Sequence, residues 1–90
     1  MIERSVLVHN KLGIHARPAA LLVQEAARFQ AEIFLSKGDV KRINAKSIMG
    51  VMMLAAEHGA EITVETEGED QQEALDALAG LLGTDFEDRV

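Results

Sequence analysis

Cysteine, tyrosine and tryptophan are missing from the 90-residue chain, and proline occurs once. Without cysteine there is neither a disulfide nor a thiolate metal site, and the composition suits a reducing compartment. With only three phenylalanines, the chain lacks the aromatic platforms on which nucleic-acid bases stack, and its core must be aliphatic and methionine-filled. Basic charge is scarce as well. Nine Lys and Arg face fifteen Asp and Glu, a net charge of −6, which argues against a binder of the phosphate backbone. No apolar run approaches the length of about 20 residues that spans a bilayer. Met1 leads straight into strand-like sequence with no signal-peptide pattern. The expectations are a cytoplasmic protein with no membrane insertion and no nucleic-acid partner. The remainder, 48% hydrophobic and 27% charged, has the balance of a folded globular chain, with a length that suits one domain and one core.

Hydrophobic periodicity divides the chain into seven elements. Ile2 to Val8 is rich in β-branched residues, with Ile2, Val6 and Val8 on one face, and reads as a strand. Ala19, Leu22, Val23 and Ala26 recur at helical spacing within a helix expected from Ala16 to Phe29. Ala31, Ile33 and Leu35 alternate with Glu32 and Ser36 in a second strand. A turn at Lys37–Gly38–Asp39 leads to a short third strand, Val40–Ile43. Ser47 fits an N-cap before an apolar helix from Ile48 to Ala56, with Gly59 left-handed at its exit. Ala60, Ile62, Val64 and Thr66 alternate with Glu61, Thr63, Glu65 and Glu67 in a strand with one wet face. A last helix begins near Asp70, buries Leu75, Leu78, Ala79 and Leu82, and ends at Gly83 before an acidic tail, Thr84–Val90. The order β-α-β-β-α-β-α predicts an α+β fold, an open-faced β-sandwich. Its four-stranded antiparallel sheet carries three helices on one face and water on the other.

Two stretches carry chemistry. The first is Asn10–Ala20, a loop that becomes the first turn of a helix, with Pro18 suiting a position where no intrahelical N–H is needed. His15 falls on the junction. The backbone amides of Ala16 and Arg17 and the positive end of the helix dipole converge there, and Arg17 adds a guanidinium. Imidazole exchanges its proton near neutral pH, so a phosphoryl group carried on His15 would find a nucleophile and an anion-binding surround in one place. The competing reading, a polar helix-start residue beside a solvated arginine, stands level with it on spacing alone. The second stretch, Ile48–Ala56, has no charged or polar side chain. A helix on one side of a sheet needs a single apolar stripe, so Ile48, Met49 and Met52 are expected to stay exposed as a docking surface. The alternative for any one methionine is core filling. His9 and His58 read as ordinary surface histidines, and no ligand spacing points to a metal. No cofactor is expected.

Taken together, Gly13-Ile14-His15-Ala16-Arg17-Pro18-Ala19 and Lys46-Ser47-Ile48-Met49-Gly50-Val51 resemble the two signatures of HPr, the histidine-containing phosphocarrier of the bacterial phosphotransferase system. The resemblance covers nearly the whole chain, 1–90, as one HPr-like domain. The tail Asp85–Phe86–Glu87–Asp88 looks like the nitrogen-related branch of that family. The resemblance implies that His15 is phosphorylated at Nδ1 by enzyme I, charged by phosphoenolpyruvate, and passes the group to IIA proteins. It implies that Arg17 steadies the phosphoryl group, and that Ser47 is modified by an HPr kinase/phosphorylase in some bacteria, altering contact with a transcriptional regulator. It further implies that Ile48, Met49 and Met52 meet partners, and that the chain is a monomer and a protein substrate rather than an autonomous enzyme. Two other readings remain: a regulatory binding module of the same fold that works without turnover, and a small structural domain with no chemistry.

Overall fold

The computed structural model describes residues 1–84, so the expected tail from Asp85 onward lies outside the described residues. Seven elements follow one another: β1 (Ile2–Leu7), α1 (Ala16–Ala26), β2 (Glu32–Lys37), β3 (Val40–Asn44), α2 (Ile48–Met53), β4 (Glu61–Glu67) and α3 (Gln71–Leu82). The strands form one antiparallel sheet in the order β1-β4-β2-β3, with the helices over one face, the open-faced sandwich that the element order predicts. Ile33, Leu35, Ile62, Val64 and Thr66 point into the helix layer and are buried. Opposite them, Glu61 and Glu67 stand in water. Leu22 of α1 and Leu75, Leu78 and Leu82 of α3 complete the aliphatic core. Full burial of each contributes about 1.5–3 kcal/mol.

Two helices are shorter than their apolar patterns predict. α1 stops at Ala26 rather than Phe29, because the amides of Arg28 and Phe29 turn to the carbonyls of Glu25 and Ala26 in tighter i→i+3 bonds. The Phe29 carbonyl then accepts from Lys46 Nζ at 2.8 Å, which ties this turn to the start of α2. α2 stops at Met53 rather than Ala56. Val51 and Leu54 already supply its buried contacts, and Ala55 takes a left-handed backbone with φ +48°. A six-residue helix is marginal alone. Packing and the Ser47 cap sustain it, with Ser47 Oγ accepting from the Gly50 amide at 3.1 Å.

The turn into α3 uses its acid differently from the expectation. Asp70 is the N-cap residue but makes no side-chain cap bond. Its carboxylate reaches across to the entrance of β2, accepting from the amides of Gln30 at 2.9 Å and Ala31 at 2.8 Å. Gly68, at φ +146°, makes this approach possible, since a Cβ there would lie 2.8 Å from the Ala31 Cα. The Gln30 amide foremost, with the amides of Ala31 and Asp70 and the charge of Lys46, holds the Asp70 carboxyl below the usual carboxylate range against partial desolvation. A carboxyl depressed in the folded state stabilises fully above its unfolded value of about 3.9, and loses that contribution as pH falls through the folded value. Asp70→Asn is therefore expected to lower the melting temperature at pH 7 and to flatten the stability loss below about pH 4. Parallel acid-unfolding curves for the two proteins would contradict this.

Candidate functional site

The loop between β1 and α1 alternates anchors and exposed residues. Asn10 is buried, Lys11 and Leu12 are exposed, and the Gly13 amide closes the turn onto the Asn10 carbonyl at 3.1 Å. Gly13 and Ile14 are buried, with the Ile14 amide donating to the Ala56 carbonyl at 2.8 Å. His15, Ala16 and Arg17 then face solvent, and Pro18 and Ala19 are buried again. Three consecutive exposed residues are thus held between two buried anchors. Gly13 has φ +76°, and a Cβ on it would come within 2.5 Å of the Ala56 oxygen. Glycine here meets both a conformational and a steric demand.

His15 is the N-cap residue of α1. Its backbone is extended (φ −105°, ψ −161°), and its carbonyl accepts the first intrahelical bond, from the Ala19 amide at 2.8 Å. The ring makes no capping bond to the helix. The first amides of a helix have no intrahelical acceptor, so those of Ala16 and Arg17 lie at the positive end of the α1 dipole beside an exposed imidazole. His15, Ala16 and Arg17, the residues singled out in the sequence, are consecutive and exposed at this helix start.

α2 provides the second part. Ser47 is half-buried at its N-terminus, while Ile48, Met49 and Met52 are 40%, 74% and 45% exposed, as the uncharged run predicts. Beside these, Met53 on the same helix and Leu12 at the loop tip are exposed apolar residues that the sequence analysis does not single out. The signal for Leu12 was available, since a large apolar side chain between Lys11 and Gly13 in a loop has no core to enter. α1 and α2 pack against each other, and the Ile14–Ala56 hydrogen bond joins the His15 loop to the segment just beyond α2. Ser47 lies at the opposite end of a helix about 9 Å long.

His58 also departs from expectation. It lies five residues past the end of α2, and its Nδ1 sits 3.2 Å from the His9 carbonyl and 3.3 Å from that of Asn10. Nothing in its sequence surroundings signals that contact. A groove of about 520 Å³ between α1 and α3 is lined by Glu25, Arg28, Ala77, Gly80, Leu81 and Thr84. None of His15, Arg17 or Ser47 borders it. The candidate site is thus an exposed helix end with apolar neighbours, the form that suits a protein partner better than an enclosed small molecule.

An antiparallel open-faced sandwich with an exposed histidine at a helix N-terminus defines a small α+β domain with a surface site. The sequence profile of the family described as "PTS HPr component phosphorylation site" matches residues 2–84, and the chain belongs to the HPr family. Among its relatives are the HPr-like protein Crh of Halalkalibacterium halodurans, 56% identical over 82 residues, covering 91% of this chain and 96% of that protein, and the phosphocarrier protein HPr of Cupriavidus necator, 48% identical over 86 residues, covering 96% of each. Among solved structures, the phosphocarrier protein HPr of Bacillus anthracis superposes with a TM-score of 0.85 at 56% identity, covering 90% of this chain and 95% of that one. The HPr dimer of Thermoanaerobacter tengcongensis gives 0.69 at 46% identity, covering 90% and 92%.

The packing of Gly13 generates a test. Gly13→Ala is expected to destabilise the fold by about 1–3 kcal/mol, the cost of a non-glycine left-handed residue, and to speed hydrogen exchange at the Ile14 amide. An unchanged denaturation midpoint would count against that account.

Proposed function

We propose that this chain is a phosphocarrier whose His15 accepts a phosphoryl group from enzyme I, charged by phosphoenolpyruvate, and donates it to IIA proteins. The observation that carries the reading is the position of His15, exposed at the start of α1 between the buried anchors Ile14 and Pro18. In the accepting step a ring nitrogen of His15 forms the new N–P bond as the bond from phosphorus to the donor breaks, and in the donating step that N–P bond breaks as the acceptor's nucleophile bonds to phosphorus. The Ala16 and Arg17 amides, the dipole of α1 and the Arg17 guanidinium stabilise the added negative charge. The chain supplies a nucleophile and a docking surface, and the partner supplies the rest of the transition-state surround, so it acts as a protein substrate rather than an autonomous enzyme.

Charge placement supports an acidic partner. Residues 4–24 and 40–56 contain no Asp or Glu, yet they hold Lys11, Arg17, Lys41 and Lys46, beside Arg4 and Arg42, which are paired with Asp76 and Glu65. A chain of net charge −6 thus keeps carboxylates out of both stretches that build the candidate site. In the same reading Ile48, Met49 and Met52 dock partners, and Ser47 is the regulatory position for an HPr kinase/phosphorylase, with a transcriptional regulator as the reader. A phosphate on an N-cap is compatible with its own helix, so inhibition would come from repulsion by the acidic partner. The location is cytoplasmic, the chain forms one HPr-like domain, and the working unit is a monomer. Sedimentation at micromolar concentration tests the last point, since a solved relative is described as a dimer.

A second reading, a regulatory module that binds through α2 without turnover, is favoured by the 56% identity to a protein named HPr-like. Incubation with enzyme I and phosphoenolpyruvate separates the two. The carrier reading expects an acid-labile mass increase of one phosphoryl group that His15→Ala abolishes, and no increase in the wild type would leave the regulatory reading. Ser47→Asp is expected to slow phosphorylation by about 10-fold or more with an unchanged melting curve, the scale of one unfavourable like-charge contact. Equal rates would remove the regulatory role of Ser47.

A further inference from the structure

The loop that presents His15 is suspended from the segment that follows α2. The Val8 amide donates to the Ala60 carbonyl and the Gly59 amide to the Val8 carbonyl, both at 2.9 Å, while the Ile14 amide donates to the Ala56 carbonyl at 2.8 Å. These bonds are backbone to backbone. The His58 ring adds a side-chain contact between the same two segments, placing Nδ1 3.2 Å from the His9 oxygen and 3.3 Å from the Asn10 oxygen. Both neighbours are carbonyls, which only accept, so the contact requires a proton on Nδ1. The segment is bent to make it, with Ala55 at φ +48° and Gly59 at φ +85°, and Lys37 Nζ holds the Ala55 carbonyl at 3.0 Å.

Asn10 shows that the loop is held at a cost. Its side chain is 1% exposed, and neither Nδ2 nor Oδ1 has a hydrogen-bond partner among the described residues. A buried carboxamide without partners is less favourable than a hydrated one, so the isolated loop would gain by turning Asn10 toward water. The Asn10 carbonyl receives both the Gly13 amide and the His58 ring. The contact therefore opposes that relaxation at the base of the turn leading to His15.

We propose that His58 is a positioning residue for His15, its Nδ1–H clamping the His9 and Asn10 carbonyls so that the loop presents the imidazole at the start of α1 in a transfer-ready pose. The proposal rests on the carrier reading and concerns how this chain's own residues serve it. Phosphoryl exchange between two proteins depends on alignment of the attacking nitrogen, and a displacement of about 1 Å lowers a rate by up to about 100-fold. The clamp lies outside the core, since His58 is exposed, so its loss spares the fold.

The test compares His58→Ala with His58→Asn, whose Nδ2 stands two bonds from Cβ as the imidazole Nδ1 does and keeps the donor. Each variant is melted, then assayed as the varied substrate of enzyme I and phosphoenolpyruvate, with amide hydrogen exchange followed at Gly13–Arg17. His58→Ala is expected to lower kcat several-fold, and at most about 100-fold, with KM little changed, and to speed exchange across Gly13–Arg17. His58→Asn is expected to restore both. Wild-type kinetics in His58→Ala, or an Asn variant as slow as the Ala variant, would overturn the proposal. If the wild type takes no phosphoryl group, the carrier reading fails and the positioning role goes with it. Hydrogen exchange then reports the clamp by itself, and unaltered exchange in His58→Ala refutes that too.

Discussion

The hydrogen bond from the Ile14 amide to the Ala56 carbonyl constrains the rest of the site. It joins two segments that are far apart in sequence, the loop before α1 and the chain leaving α2. For the bond to form, α2 has to end early enough for the Ala56 carbonyl to reach the Ile14 amide, and the chain leaves the helix through Ala55 in the left-handed region. The loop must also approach the Ala56 oxygen so closely that no Cβ fits at Gly13. Burial of Ile14 and Ala19, 5% and 0% exposed, locks the two sides of the junction. His15, Ala16 and Arg17 between those anchors are exposed.

The sheet explains where the negative charge goes. One face is sealed by the helices, so the other must be polar, and the carboxylates gather there. Glu3 lies opposite Glu65, and Glu32 opposite Glu67, in directly facing cross-strand pairs. Such like-charge pairs cost stability. Arg42 offsets part of that, bonding Glu65 at 2.7 Å while its guanidinium lies 4.2 Å from the centre of the Phe34 ring. The surface of α2 and the loop before α1 is built from stretches without carboxylates. An acidic protein thereby keeps one region fit to meet anionic groups.

Much of this was legible in the chain. The period-two pattern of Ala60–Glu67 specified a half-wet strand, and the spacing of Leu75, Leu78 and Leu82 specified a helix over the sheet, because burial on one side leaves its period in the residues. The Ser47 cap and the exposure of Met49 and Met52 followed from local rules for helix starts and for helices with too many apolar faces. The ends of α1 and α2 were not legible. Apolar residues continue through Phe29 and Ala56, whereas the helices end where the Arg28 and Phe29 amides tighten to i→i+3 bonds and where Ala55 turns left-handed, and the Phe29 and Ala56 carbonyls just beyond serve the distant partners Lys46 and Ile14. Asp70 likewise looks like a helix-start acid, yet its carboxylate serves amides about 40 residues away.

By itself the sequence determined the element order, the side of each element that faces the core, and the placing of His15 at the start of α1, since all of these depend on neighbours within a few residues. Tertiary structure alone decided which backbone groups hold the His15 loop, what Asp70 and His58 do, and where α1 and α2 stop. Those outcomes are hydrogen bonds and contacts between distant segments, and no local pattern encodes the partner at the far end.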